Sequence, residues 1–265
     1  MVYRAFSARP LKPLLILPLL LCGALPICAQ DELTIAAASD LQPVMKEAGA
    51  RFEKETGSKV KLVFGSSGDF FAQLQNGAPF DVFLSADVEY PKKLEAAGLT
   101  EPGSLYEYAT GKIVLWVPNN SPVDVEKGLS TLADAQISRL AIANPAHAPY
   151  GRAAKAALKN AGLWDQVSSK LVLGENISQT AQFANSGNAD AAILALSLVL
   201  SPAMKDKGKY FEISQEMYPP LRQAAVIVKN SAHTSLAARF LEFLKQPSTR
   251  YLFMRYGFMS AKDVR

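Results

Sequence analysis

Cysteine and histidine are almost missing from this chain of 265 residues. The two cysteines, Cys22 and Cys28, lie in an apolar N-terminal stretch that we predict is removed, so the mature chain would hold no thiol. This excludes a disulfide framework, a cysteine-ligated metal site and a cysteine nucleophile. The two histidines, His147 and His233, are too few for a zinc site built on several imidazoles and barely enough for one catalytic triad.

The apolar N-terminal stretch has the features of a secretory signal peptide. Residues 1–29 carry three basic residues, no acidic one, and then a leucine-rich run that is interrupted by prolines. The run is shorter than the roughly 20 residues that a membrane-spanning helix needs. Small Ala29 suits the cleavage position, so we predict cleavage after Ala29 and secretion of the mature chain. A lipid anchor at Cys22 or Cys28 is the minor alternative.

The chain also lacks a large excess of positive or negative charge. Removal of the three basic residues of the signal peptide lowers the formal net charge from +4 to +1. No strongly basic surface then argues for a nucleic-acid partner. The sequence has no low-complexity tract and no repeat of 20 to 50 residues, which excludes solenoid folds.

The mature chain alternates between strand-like and helix-like patterns. Apolar runs with strand character are found at residues 33–37, 60–64, 80–84, 113–117, 140–143, 171–173, 191–195, 211–213 and 224–228. Helical periodicity is found from Leu41 to the stop at Gly57, and near residues 70–75, 92–97, 153–161, 180–185 and 236–245. Such alternation predicts mostly parallel sheets with helices on both faces. Nine strands exceed one small sheet, so we expect an α/β protein with two lobes.

Two strand-to-helix turns offer hydroxyl groups and backbone amides to an anion. Ser39 and Asp40 follow the first predicted strand, and Gly65-Ser66-Ser67-Gly68 follows the second. In open parallel sheets, ligands bind beyond the carboxyl ends of the strands, where helix N-termini present free N–H groups. The alternative is that Ser39, Asp40 and Ser67 only cap helices.

Two later turns have a similar character. Tyr150 and Gly151 precede one helical pattern, and Asn176-Ile177-Ser178 precedes the next. The phosphate-binding loop, the dinucleotide-binding fingerprint and the nucleophile elbow G-x-S-x-G are all absent.

Together, these turns resemble the periplasmic molybdate-binding proteins of ABC uptake systems. The matching stretches follow the family's order along essentially the whole mature chain: AAAS at 36–39, GSSG at 65–68, NGAPFDVFLSAD at 76–87, NPAHAPYG at 144–151, GENI at 174–177 and RYGF at 255–258.

The resemblance implies a type II periplasmic-binding-protein fold, in which the chain crosses a hinge twice and the anion lies between two lobes. The first lobe would comprise residues 31–110 and 223–265, and the second residues 111–222. The hydroxyls and amides of Ser39 and Ser67, together with the backbone amides of Tyr150 and Ile177, would hold the oxyanion. Neutral donors and helix dipoles can hold a dianion without a buried cation.

The sequence departs from the family pattern at two positions. Ala195 stands where many members have a tyrosine hydroxyl, so one donor is lost. Asp40 places an acid beside the expected dianion, where we expect it to act mainly as a helix cap.

The resemblance implies a binding protein without catalysis that delivers molybdate or tungstate to an ABC permease. We expect a monomer with no cofactor, no bound metal cation and no nucleic-acid partner. One alternative ligand is sulfate or a small organic anion. A competing class is a serine hydrolase that uses Ser39 or Ser67 with His147 or His233 and an aspartate.

Overall fold

Two five-stranded sheets form the centre of the molecule. The structure is a computed structural model and describes residues 1–3, 5 and 31–261. Ala29, Cys22 and Cys28, on which the signal-peptide and lipid-anchor predictions depend, lie outside these residues. The strands are β1 (Glu32–Ala38), β2 (Lys59–Gly65), β3 (Val82–Ser85), β4 (Tyr106–Gly111), β5 (Ile113–Pro118), β6 (Leu140–Ala143), β7 (Leu171–Gly174), β8 (Ala191–Ala195), β9 (Gly208–Glu212) and β10 (Leu221–Ile227).

The helices pack around these sheets and connect most of the strands. They are α1 (Gln42–Thr56), α2 (Ser67–Gln75), α3 (Glu89–Ala96), α4 (Pro149–Asn160), α5 (Trp164–Val167), α6 (Ile177–Asn185), α7 (Leu196–Val199), α8 (Thr234–Lys245) and α9 (Pro247–Arg255). Four stretches of 3₁₀ helix complete the described part of the chain: Ser39–Leu41, Val125–Ala133, Ser168–Lys170 and Gln215–Met217.

The two sheets have equivalent strand orders. The first runs β2-β1-β3-β10-β4 and the second runs β7-β6-β8-β5-β9. The chain passes from the first sheet to the second between β4 and β5, and it returns between β9 and β10. We call the first sheet with α1, α2, α3, α8 and α9 the first unit, and the second sheet with α4, α5, α6 and α7 the second unit.

Each sheet is mixed. In the first sheet β1 pairs in parallel with β2 and β3, whereas β10 runs antiparallel to β3 and β4. The second sheet repeats this pattern, with β6 parallel to both of its neighbours and β5 antiparallel to β8 and β9. The prediction of mostly parallel sheets therefore fails at one strand of each sheet, because β10 and β5, the first strands after each crossing, run opposite to their neighbours.

The first unit shows how local sequence places a helix at the end of a strand. Helix α1 ends at Gly57, which adopts a left-handed conformation with φ of 74°, as predicted. Its buried face includes Phe52, whose ring meets Phe240 of α8 edge to face at 5.1 Å. This packing holds α1 against α8, and the turn Ser39–Leu41 connects α1 to the carboxyl end of β1.

Candidate functional site

The four predicted site residues lie around one small cavity between the two units. Ser39 and Ser67 come from the first unit, and Tyr150 and Ile177 from the second. Two wider grooves, which include Glu242 and Met204 among their lining residues, contain none of the four. The predicted residues therefore converge on one place, which suits a small ligand.

Both serine hydroxyls have a proton to donate. The Ser67 Oγ accepts the backbone N–H of Ala86 at 3.0 Å, and the Ser39 Oγ accepts the N–H of Ser178 at 3.3 Å. In these contacts the serine oxygen is the acceptor, so the hydroxyl proton remains available for a further partner. Ser39 and Ser67 are both almost fully buried. The cavity thus has two hydroxyl donors that are held in place by backbone amides.

Three α-helices begin at the cavity. Ser67 is the first residue of α2, Ile177 the first of α6, and Tyr150 the second of α4. An α-helix leaves its first N–H groups without acceptors, and its N-terminus carries a partial positive charge. In α4 the first position is Pro149, which has no N–H, so the amide of Tyr150 is the first of that helix. The arrangement favours an anion.

The prediction that Ser39 and Asp40 cap a helix is wrong. They lie in the 3₁₀ turn Ser39–Leu41, and neither side chain caps that turn or α1. Instead the Asp40 Oδ2 accepts the hydroxyl of Tyr150 at 3.0 Å and the side-chain amide of Gln223 at 2.7 Å. Asp40 thereby joins β10 of its own unit to α4 of the other.

Asp40 is completely buried, and the burial raises the pKa of its carboxyl from 3.8 to about 6. The hydrogen bonds from Gln223 and Tyr150 act in the opposite direction but do not cancel this effect. Burial also raises the pKa of the Tyr150 and Tyr108 hydroxyls well above their usual value, so both phenols stay neutral. The carboxyl of Asp40 is therefore the group of this network that can change charge near neutral pH.

Further contacts across the cleft hold the two units together. The backbone N–H of Gly68 and the Ser66 hydroxyl both donate to the carbonyl oxygen of His147, at 3.1 and 2.8 Å. A Cβ atom on Gly68 would lie 2.5 Å from that carbonyl oxygen, so this approach requires glycine. On the other side of the cleft, Arg152 of α4 forms an ion pair with Asp87.

The described contacts do not assemble the triad of the hydrolase alternative. The His147 Nδ1 lies 3.1 Å from the Oγ of Ser66, not against Ser39 or Ser67. The Ser66 hydroxyl itself donates to a backbone carbonyl. His233 lies at the start of α8 and contacts Asp81 at 3.2 Å. Neither imidazole therefore contacts a predicted serine.

Sequence reasoning missed three contributors to this site. The side chains of Gln223 and Tyr108 belong to the network around Asp40, in which the Tyr108 hydroxyl donates to the Gln223 Oε1 at 3.0 Å. Ser178 contacts Ser39 across the cleft and also donates its hydroxyl to the Ser39 carbonyl. A polar residue, Gln223, directly before the apolar run 224–228 was the signal that could have indicated a buried hydrogen-bond network.

Ala195, where the family resemblance implies a tyrosine, lies in a closely packed part of the second unit. It is fully buried at the end of β8, where it pairs with Ile113. We expect Ala195→Tyr to destabilise the protein by about 1 to 3 kcal/mol through overpacking, and to weaken anion binding. Thermal unfolding and calorimetric titration of the variant check this. Tighter molybdate binding with unchanged thermal stability would contradict it.

The described part of the chain has neither a cluster of metal-ligating side chains nor a membrane-spanning helix. Among residues 1–3, 5 and 31–261, no group of three or more histidine, cysteine or acidic side chains is placed to hold a metal ion. Over the same residues, no helix has the length and apolar character needed to cross a membrane.

The chain is similar to known proteins along most of its length. A family model described as bacterial extracellular solute-binding protein matches residues 33–259. The molybdate-binding protein ModA of Rhodobacter capsulatus is 40% identical over 237 residues, which is 89% of this chain and 91% of that protein.

Solved structures show the same relationship. The periplasmic molybdate-binding protein of Azotobacter vinelandii superposes with a TM-score of 0.81 at 34% identity, covering 86% of this chain and 98% of that one. The substrate-binding domain of a putative molybdenum ABC transporter from Clostridium difficile gives 0.66 at 26% identity, over 87% and 99% of the two chains. The predicted two-lobed α/β fold class is confirmed, and the chain belongs to the bacterial extracellular solute-binding protein family.

Proposed function

We propose that this protein captures molybdate in the cavity between its two units and delivers it to the membrane permease of an ABC transporter. Relatives named for molybdate binding match most of the chain. The observation that carries the proposal is the convergence of two free serine hydroxyls and three α-helix N-termini on one small, buried cavity. Such a set of neutral donors suits a compact oxyanion, and relatives of this chain are binding proteins rather than enzymes.

In this proposal the oxyanion is bound from both sides. The hydroxyls and amides of Ser39 and Ser67 contact it from the first lobe, and the amides of Tyr150 and Ile177 contact it from the second. The first lobe comprises residues 31–110 and 223–265, and the second residues 111–222. The strand orders of the two sheets support this division except at its edges, because Gly111, Leu221 and Arg222 belong to β4 and β10 of the first sheet.

If the ligand bridges the lobes, it stabilises the closed state by its greater affinity for that state. We expect the radius of gyration measured by solution scattering to be smaller with saturating molybdate than without it. An unchanged radius of gyration under saturating ligand would contradict the bridging arrangement.

Calorimetric titration with molybdate, tungstate, sulfate and phosphate tests the proposed ligand. We expect molybdate to bind with a stoichiometry of one, and we propose tungstate as a second ligand because its oxyanion has the same shape and charge. Preference for sulfate or for a small organic anion over molybdate would overturn the assignment.

The cellular location and the processing of the protein are also part of the proposal. Membership of an extracellular solute-binding family supports an extracytoplasmic location. We propose a periplasmic monomer released by cleavage after Ala29. Mass spectrometry of the mature protein tests this, since acylation at Cys22 or Cys28 would give a lipid-modified N-terminus instead.

A further inference from the structure

A buried acid lies beside a site for an anion. Asp40 directly follows Ser39, lines the same cavity and is fully shielded from solvent. Its Oδ2 is hydrogen bonded to Tyr150 and Gln223. Its Oδ1 is buried and has no hydrogen-bond partner among the residues that the structure describes. One carboxyl oxygen therefore has an unused position for a proton.

The groups that face Asp40 from each neighbouring element provide no compensating cation. Helix α4 contributes the Tyr150 hydroxyl and β10 the neutral Gln223 amide. Strand β4 contributes Tyr108 through Gln223, and the Ser197 hydroxyl at the start of α7 donates to the Asp40 backbone carbonyl at 2.8 Å. Tyr218, which follows the 3₁₀ turn Gln215–Met217, contributes to the raised pKa of Tyr150. Burial also raises the pKa of the Tyr218 hydroxyl, so this phenol is neutral as well. No lysine, arginine or histidine is among the described residues that line the cavity.

A divalent oxyanion held by Ser39 would therefore place three negative charges in a buried site without a cation. Like charges at short range repel strongly where water is excluded, and such repulsion favours the protonated form of a carboxyl. We propose that the Asp40 carboxylate takes up one proton from solvent when the site captures a divalent oxyanion, and releases it when the site opens. This inference rests on the proposed function.

The proton balance is simple. The carboxylate and one proton from water form the neutral acid, while the bound anion keeps its two charges. A neutral carboxyl removes the repulsion and adds an O–H donor to the site. Burial already raises the pKa of the Asp40 carboxyl to about 6, so a moderate further increase on anion binding is enough to hold the proton at neutral pH.

Proton uptake by Asp40 makes the affinity for the anion depend on pH in one direction. The anion-bound protein binds more protons than the free protein, so affinity increases as the pH falls. Above about pH 6, where the free carboxyl is ionised, we expect affinity to fall with rising pH, approaching tenfold per pH unit while the bound form keeps its proton.

Calorimetric titration with molybdate in buffers of different ionisation enthalpy, at about pH 8, counts these protons directly. We expect close to one proton to be taken up by the unmodified protein. Asp40→Asn keeps the shape of the side chain and removes its charge change, so this variant should bind with no proton uptake and show a flat pH profile.

Two control variants remove other titratable groups at the cleft. His147→Gln and Asp69→Asn change a pair at the cleft mouth whose Nδ1 and Oδ2 atoms lie 3.5 Å apart, and neither touches Asp40. Both should retain the proton uptake. Uptake that persists in Asp40→Asn but disappears in His147→Gln would overturn the inference.

The unmodified protein alone also decides the question if Asp40→Asn fails to fold. Molybdate binding with no proton uptake would overturn the inference and leave the proposed function intact. Absence of molybdate binding would contradict the proposed function, and the proton count would then be taken with tungstate or sulfate. Failure of all three anions to bind would overturn both.

Discussion

Ser39→Ala and Ser67→Ala are each expected to weaken molybdate binding by roughly tenfold to a hundredfold, and the double variant by a hundredfold or more. A hydrogen bond to a charged group contributes about 1.5 to 3 kcal/mol, and each 1.4 kcal/mol is tenfold in Kd. The structure strengthens this expectation, because both hydroxyls accept a backbone amide and keep their proton for the ligand. Calorimetric titration measures the loss.

Ser85→Ala is the matched control for these variants. Ser85 is as buried as Ser39 and Ser67, but its hydroxyl donates to the Asp87 carbonyl and does not line the cavity. We expect this control to lose stability and keep its affinity. If the two single variants and the double variant titrate like the unmodified protein, the serine assignment is wrong.

Gly68→Ala is expected to weaken molybdate binding by about tenfold to a hundredfold without unfolding the protein. The added Cβ would lie 2.5 Å from the carbonyl oxygen of His147 and 2.9 Å from the hydroxyl of Tyr90. Relief of such overpacking costs about 1 to 3 kcal/mol, and the cleft can relieve it by opening. Alanine is otherwise favourable in a helix, so the ligand-free form should retain its thermal stability.

Scattering and titration together test this variant. Its radius of gyration should stay large with molybdate present. The control is Gly49→Ala within α1, where the new Cβ would meet the Leu62 side chain at an ordinary 3.5 Å. This control should bind and close normally. Normal closure by Gly68→Ala would show that the Gly68 contact with His147 is not needed.

The turns and the family resemblance together predicted four residues that line one cavity, but they gave the wrong role to the acid beside them. Ser39, Ser67, Tyr150 and Ile177 lie in turns whose strands and helices are local in the chain, so their convergence follows once the fold class is known. The role of Asp40 depends on Tyr150 and Gln223, which are 110 and 183 residues away. A capping preference describes only the neighbours in sequence, and it therefore gave the wrong role.

Contacts with distant segments also explain why the sequence did not predict β4 and α9. Strand β4 has the sequence YEYATG, which lacks an apolar run, and it is stabilised by pairing with β10 more than a hundred residues later. Helix α9 begins with Pro247 and exposes Tyr251 and Met254. The helical pattern of this segment is weak. The ring of Phe253 in α9 packs against the rings of Tyr108 and Phe258, and these contacts fix the position of the helix.

The insertion of β10 between β3 and β4 also determines the order in which the chain can fold. All five strands of the second sheet come from the continuous segment between Ile113 and Glu212, so this sheet can form as soon as that segment is available. Strand β4 pairs with no other strand than β10 in the described residues, so the first sheet stays incomplete until Ile227 has been synthesised. Contacts between such distant segments form slowly. A nascent chain therefore cannot complete its first sheet, which carries the Ser39 and Ser67 side of the cavity, until after the whole second sheet has been synthesised.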